Sequence, residues 1–228
     1  MCGKFSGFVS WRSAVRYSDL LLGTQGGGGD ELTLSTPMRL TPIVCLTQDG
    51  RRAAIPMRWS WVDAGDPLKK PGLMHARGET ADSKPTWKFA FAHNRGVTFV
   101  NTFNVGEDIA PGRVKQWTCR RADGKPLALA VIWERWEHPQ HGVLHVYVPV
   151  TTFSPPIVHT KDDRFPVLLD NDEDIALWLG ETGARLEDIK MLVRVYDGEL
   201  IVEEEKKPET AKPAKAARAK DAVQPSLF

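Results

Sequence analysis

With 228 residues, a formal net charge of +1 and 42% apolar residues, the chain has material for one sizeable core and no polyelectrolyte character. Any nucleic-acid or membrane partner must be met by local patches rather than by an overall field. The three cysteines, Cys2, Cys45 and Cys119, are odd in number and far apart without C-x-x-C spacing. That argues against a disulfide framework and a zinc site and fits a reducing, cytoplasmic setting.

The chain opens "MCGKF", and only at residue 2 can removal of Met1 leave a thiol and an α-amine on one residue. The first thirty residues hold no apolar stretch of signal-peptide length, and nowhere is there the run of about 20 apolar residues that a membrane helix needs. A lipoprotein cysteine would follow such a signal, and myristoylation wants Gly at residue 2, so no membrane partner is expected.

"SWRSAVRYSDLLL" at 10–22 has helical spacing, and the run Gly26 to Gly29 after it predicts a flexible loop. "RLTPIVCLTQDGRRAAIPMRWSW" from residue 39 predicts a hairpin around Asp49-Gly50. "KPTWKFAFAH" at 84–93 predicts a short helix entered near Pro85. "GVTFVNTFNV", "RVKQWTCRRADGKPLALAVIWERWE" with its Asp123-Gly124 turn, and "GVLHVYVPVTTF" are strand-like, rich in β-branched and aromatic residues. "DEDIALWLG" at 172–180 predicts a helix with an acidic first turn ended by Gly180, and "IKMLVRVY" a closing strand. Strands outnumber helices, which predicts an α+β fold with a mostly antiparallel curved sheet or β-barrel-like core. Residues 1–202 form the expected domain, and the Lys-, Ala-, Glu- and Pro-rich residues 203–228 an expected disordered tail.

On a mature Cys2 the thiol, with a pKa of about 8.5, and the α-amine, at about 7.7 to 8.0, can both attack carbonyl carbon near neutrality. With an aldehyde the amine forms a Schiff base, on which the thiol closes to a thiazolidine, given a nearby acid/base group. An N-terminal cysteine amidohydrolase, with the amine as base for the thiol, is equally compatible with these residues.

"MCGKF" is followed by "MHARGET" at 74–80, "FVNTFNVGED" at 99–108, "LALAVIWERWE" at 127–137 and "DDRFPVLL" at 162–169. In that order they resemble the SOS response-associated peptidase (SRAP) family, whose signature runs Met-Cys-Gly-Arg-Phe, Met-Arg-Trp-Gly, Asn-Ala-Arg-x-Glu-Thr, Gly-Phe-Tyr-Glu-Trp, Leu-Trp-Glu and His-x-Arg-Met-Pro. The resemblance covers residue 1 to about residue 195. It implies covalent capture of abasic sites in single-stranded DNA through a thiazolidine on the N-terminal cysteine, with autoproteolytic release of Met1 and no metal or nucleotide cofactor. By the same resemblance Cys2 is the nucleophile and Glu107 falls where the family keeps its catalytic glutamate. Arg77 and Arg164 fall on DNA-phosphate-binding arginines, and Lys4 replaces an arginine. Pro37 and Arg39 come near the DNA cleft, which Trp59, with Trp61 beside it in sequence, would line.

His75 stands for the family's asparagine and Asp162 for its histidine, with His159 three residues upstream. Either His75, titrating near neutrality, or a buried Asp162 could take the proton-transfer role, with His75 or His159 as the auxiliary group beside Glu107. If these changes abolish crosslinking, a non-catalytic DNA-binding adaptor results. His138, His141 and His145 flank a predicted turn and point away from a shared metal; Cys45, Cys119, Trp117, Trp133 and Trp178 are expected in the core. The terminal "QPSLF" resembles the bacterial sliding-clamp-binding motif Gln-x-x-Leu-Phe, with Gln224, Leu227 and Phe228 as contacts. On a flexible tether such a peptide raises the effective concentration of the domain at the clamp. The expected setting is cytoplasmic, at the nucleoid.

Overall fold

In a computed structural model, residues 4–6, 36–61, 72–138 and 142–205 are described, with the backbone alone for 4–6 and 138. The predicted hairpin is there: β2 (Leu40–Leu46) pairs antiparallel with β3 (Arg52–Trp59), and Gly50 takes φ +74° in the connecting turn. After β1 (Lys4–Ser6), these and β4 (Ala76–Arg77) come α1 (Gly78–Ala81) and α2 (Lys88–His93). There follow β5 (Arg95–Val100), β6 (Thr102–Ala110), β7 (Arg113–Arg121), β8 (Leu127–His138) and β9 (Gly142–Phe153). The remainder is α3 (Pro156–His159), β10 (Arg164–Pro166), β11 (Leu168–Leu169), α4 (Asp172–Leu179), α5 (Leu186–Lys190) and β12 (Leu200–Glu204). The predicted helix at 10–22, the glycine run and residues 206–228 of the expected tail lie outside the described residues, whereas Glu203 and Glu204, assigned to that tail, end β12 opposite Thr118 and Trp117.

Five strands close on themselves in the order β9-β3-β2-β5-β8 and back to β9, so the expected barrel-like core is a closed one. All these pairings are antiparallel except β3 with β9. A second sheet runs β1-β6-β7-β12. Because side chains alternate along a strand, the barrel strands feed two cores: Val44, Ala130 and Ile132 go to one, Ile43, Cys45, Leu129 and Val131 to the other. The first core takes up α2 and α4, where Phe91 meets Trp178 edge-on at 5.7 Å. The second joins Trp59, Tyr147 and Phe165 of the barrel side to Phe103, Val105 and Cys119 of the second sheet.

The helix predicted at 172–180 is α4, begun by the Asn171 side chain accepting from the Asp174 N–H at 2.8 Å and ended by Gly180 at φ +95°. "IKMLVRVY" is a correction. Its first residues close α5 and the rest turns, while the closing strand is β12. Ile189, Leu192 and Val193 pack on the first core at helical spacing, whereas Met191 and Val195, which a strand would place on their face, are exposed. The Asp123-Gly124 turn also differs from a hairpin. Arg121 clasps Asp123 at 3.0 and 2.8 Å, Gly124 takes φ +72°, and the chain passes from the second sheet to the barrel.

Gly96 sits where β5 is flanked by β2 and β8, paired with Cys45 and Val131. A Cβ there would lie 2.5 Å from Ile43 Cγ2 and 3.0 Å from the Val44 carbonyl oxygen. Gly96→Ala should therefore destabilise the fold by about 1–3 kcal/mol in urea denaturation, with partial recovery when it is made in an Ile43→Leu background, which lacks the Cγ2 methyl. No recovery would assign the loss to the backbone contact.

Candidate active site and nucleic-acid face

Trp59, at the end of β3, is fully buried and donates its indole N–H to the Met74 carbonyl at 2.9 Å. That bond fixes the backbone immediately before His75, whose half-buried ring meets the Trp59 ring edge-on at 5.9 Å. Tyr147, paired with Trp59 in the β3–β9 register, stacks on it at 6.4 Å. Trp59 is thus a member of the second core that supports His75 from within, rather than a cleft wall. Trp61 is buried in the first core, edge-on to Trp87 at 4.8 Å.

Arg164, on β10, is a second correction. It is 8% exposed, and its guanidinium donates to both Glu79 oxygens at 2.9 and 2.8 Å. It also donates to the Thr151 carbonyl at 2.7 Å and the Thr151 hydroxyl at 3.1 Å. A desolvated, bidentate cation is held by the protein's own carboxylate and is not presented to a phosphate. Burial pushes the Glu79 carboxyl up, but the hydrogen bonds and charge of Arg164 outweigh it and hold Glu79 below the ordinary carboxylate range. The Thr151 hydroxyl donates to the Ala76 carbonyl at 3.2 Å, tying the same knot to β4. Asp162 is buried and accepts from the Arg164 N–H at 3.1 Å, shaping the entry to β10. His159 is exposed at the end of α3.

Glu107 shares a face of β6 with Phe103 and Val105, which are fully buried in the second core, and emerges half-buried where that core ends. It accepts from the Trp117 indole N–H at 2.7 Å, and Lys115 stands opposite it in register. Two ammonium groups, of Lys115 and Lys161, each lie 4.5 Å from the Trp117 ring centroid. Lys161 immediately precedes Asp162, so this contact holds the Asp162 loop against β7. Trp117, expected in the core, is therefore half-buried and holds Glu107. The two-residue Pro111-Gly112 connection, with Gly112 at φ +70°, pairs Ala110 with Arg113, and a bulge between Asp108 and Ala110 then shifts the register by one and places Trp117 diagonal to Glu107. A groove of about 1000 Å³ between β7 and β12 runs beside Trp117, but Glu203, Glu204 and Glu205 line it, which opposes a phosphate backbone.

Pro37 and Arg39 belong to a turn in which the Arg39 N–H donates to the Thr36 carbonyl at 3.0 Å and Met38 takes φ +72°. A left-handed methionine is strained by about 1 kcal/mol. It is held by its N–H on the Trp59 carbonyl at 2.9 Å and by Arg58 on its own carbonyl at 3.0 Å. The turn presents Arg39 to solvent, and Arg77 is likewise exposed on β4. Lys4 is described in backbone only, and Cys2, Gln224, Leu227 and Phe228 lie outside the described residues.

Cys45 and Cys119 are buried, as expected, and burial pushes their thiols up to about 11 and about 12. Trp178 is fully buried and Trp133 half-buried, 5.9 Å from His145. Burial and then the Arg135 charge hold His145 below its ordinary pKa; His138 ends β8, and His141 is outside the described residues. Among the described residues no three His, Cys, Asp or Glu side chains could together hold a metal ion. None of their helices is long and apolar enough to cross a membrane.

The model of the family described as "SOS response associated peptidase (SRAP)" matches residues 1–206. A protein named "Abasic site processing protein YoqW" from Bacillus subtilis is 22% identical over 160 residues, covering 69% of this chain and 71% of that protein. Its namesake from Bacillus phage SPbeta matches with the same figures, 22% over 160 residues. A crystal structure of a Bordetella bronchiseptica protein superposes with a TM-score of 0.72 at 19% identity, covering 90% of this chain and all of that one. One from Bacteroides thetaiotaomicron gives 0.71 at 17%, with 89% and 92% covered. At these identities the likeness establishes the shared fold.

The Glu79–Arg164 pair makes a pH-dependent contribution of known sign. With the folded pKa of Glu79 depressed, the stability is present above the unfolded value of about 4.3 and lost as pH falls through the lower folded value. Glu79→Gln should cost about 3 kcal/mol at neutral pH, measured by urea denaturation, because it leaves a buried guanidinium uncompensated. The gap between parent and variant should close in acid; a gap independent of pH would assign the loss to packing.

Proposed function

Since this chain belongs to the SOS response-associated peptidase family, we propose that it captures abasic sites in single-stranded DNA covalently through Cys2 once Met1 is removed. The observation that carries the reading is the pairing of β1 with β6. Lys4 is opposite Asn104 in an antiparallel register, so the N-terminal end of β1 faces the part of β6 that leads to Glu107. Two further residues of chain reach at most about 7 Å beyond Lys4. An acid/base carboxylate is thus supplied close to where the chain starts. The relative named as an abasic site processing protein supports the same substrate.

In this reading the α-amine of Cys2 adds to the sugar aldehyde to give a carbinolamine, which loses water to form the Schiff base. The thiol then adds to the imine carbon while its proton passes to the nitrogen, closing the thiazolidine; overall one water leaves. Glu107, oriented by Trp117, moves the protons, and His75, braced on Trp59, is the auxiliary group. Arg77 and Arg39, both exposed, hold phosphates, with Lys4 as a third cation. The terminal Gln224, Leu227 and Phe228 dock on the replication clamp and bring the domain to exposed single strands.

Intact mass spectrometry of the protein with an oligonucleotide carrying one abasic site tests the chemistry. The expected product is the mature chain plus DNA less one water, absent in Cys2→Ser and slowed about 100-fold or more in Glu107→Gln, the scale of general acid–base catalysis. Binding without adduct would overturn capture in favour of the adaptor, and DNA-independent turnover of small amides in favour of the hydrolase. For the tail, deletion of Gln224 to Phe228 should abolish clamp binding in calorimetry while leaving adduct formation intact; retained clamp binding would refute the docking.

A further inference from the structure

β9 ends in an aromatic that faces solvent. Phe153 is 56% exposed, although it closes a strand whose preceding seven residues are buried, and Ile157 of α3, four residues on, is 50% exposed. One side of the ring is not bare: Arg164, opposite Phe153 in the β9–β10 register, places its guanidinium carbon 5.2 Å from the ring centroid. That guanidinium is fastened to Glu79 and Thr151, so the ring rests on a rigid, charged floor and leaves its remaining surface open. The register places Arg77 level with Thr151, two residues before Phe153 and on the same face. The backbone positions that carry the exposed cation and the exposed ring are then about 7 Å apart along the strand and one strand spacing of about 4.8 Å across.

An exposed aromatic beside an exposed arginine is the pairing that single-stranded nucleic acid requires, a π-face for the base and a cation for its phosphate. We propose that Phe153 is a stacking platform for an unpaired nucleobase next to the abasic position, with Arg77 on the adjoining phosphate. The inference rests on the single-stranded DNA function above and adds to it a contact outside the reacting atoms. It also gives Arg164 a role that its burial permits. The arginine stiffens the platform from beneath, and its charge, shared with Glu79, meets the π-system instead of a phosphate.

The test compares non-covalent binding, by fluorescence anisotropy, of the full chain to two oligonucleotides without aldehydes. One is a short oligothymidine; in the other, tetrahydrofuran residues replace the central nucleotides and remove their bases. The parent should bind the first about tenfold more tightly, the scale of one stacked base, and Phe153→Ala should bind both alike while Phe153→Trp keeps the preference. Phe153→Ala that retains the parental preference, or that weakens both oligonucleotides equally, overturns the stacking assignment. If the parent still forms its adduct with abasic DNA, that failure leaves the capture reading standing. A parent that binds neither oligonucleotide overturns the stacking assignment, and one that also forms no adduct with abasic DNA overturns both.

Discussion

β9 changes partners along its length, and the site depends on that change. Its first half pairs with β8, and at Val146 and Tyr147 it pairs in parallel with β3, which closes the barrel. From Val150 on it leaves the barrel and takes β4 and β10 instead. A strand clamped at one end by closure has little freedom at the other, and the side chains beyond Tyr147 inherit that rigidity. Tyr147 braces Trp59 and through it His75; Thr151 gathers Ala76 and Arg164; Phe153 ends the strand over the Arg164 guanidinium. Residues drawn from positions 59 to 164 are brought to one place by a single strand with two sets of neighbours.

The cations divide by burial. Arg164 is desolvated and compensated by Glu79, so it acts on the interior: it joins α1 to β10 and stiffens the end of β9. Arg77 and Arg39 are exposed and their long side chains are solvated, so they can take a phosphate without breaking a buried pair. Lys115 and Lys161 form a third group, set against the Trp117 ring. The indole they flank donates its N–H to Glu107 and gives that carboxylate a fixed orientation, while the Lys115 ammonium also pairs with Glu204 at 2.9 Å.

What could be read from the sequence was local. The Asp49-Gly50 hairpin and the helix between Asn171 and Gly180 are each specified by residues within a few positions of one another, and both are present as expected. The abundance of strands gave the α+β class, but the partner of each strand is set by closure between distant segments, such as β3 with β9. The stretch "IKMLVRVY" differs because its apolar residues satisfy both periods, and packing of Ile189, Leu192 and Val193 on the first core ends a helix there and turns the chain instead of extending it. Arg164 shows the same limit for a site residue. Nothing in "DDRFP" says that the arginine is buried, since its partner is Glu79, 85 residues away. Trp117 is an intermediate case: the short Pro111-Gly112 connection is legible, but the bulge between Asp108 and Ala110 that sets Lys115 rather than Gln116 opposite Glu107 is not.

The N-terminal nucleophile of the proposed reaction poses a particular difficulty, because chain ends fray and a reactive group on a fraying end seldom meets its acid/base partner. Pairing of Lys4, Phe5 and Ser6 with Asn104, Phe103 and Thr102 answers it with backbone hydrogen bonds two residues from Cys2. The same β6 carries Glu107 at its far end, held there by β7 through Trp117, and β6 is anchored in the second core by Phe103 and Val105. One strand therefore governs both the reach of the nucleophile and the position of the carboxylate, which is the condition for a high effective molarity in the proposed reaction. The substitutions at His75 and Asp162 leave that scaffold untouched. His75 is braced from the barrel side and Asp162 shapes the turn into β10, so in the proposed reaction the proton transfers can be redistributed among side chains while β6 keeps its alignment.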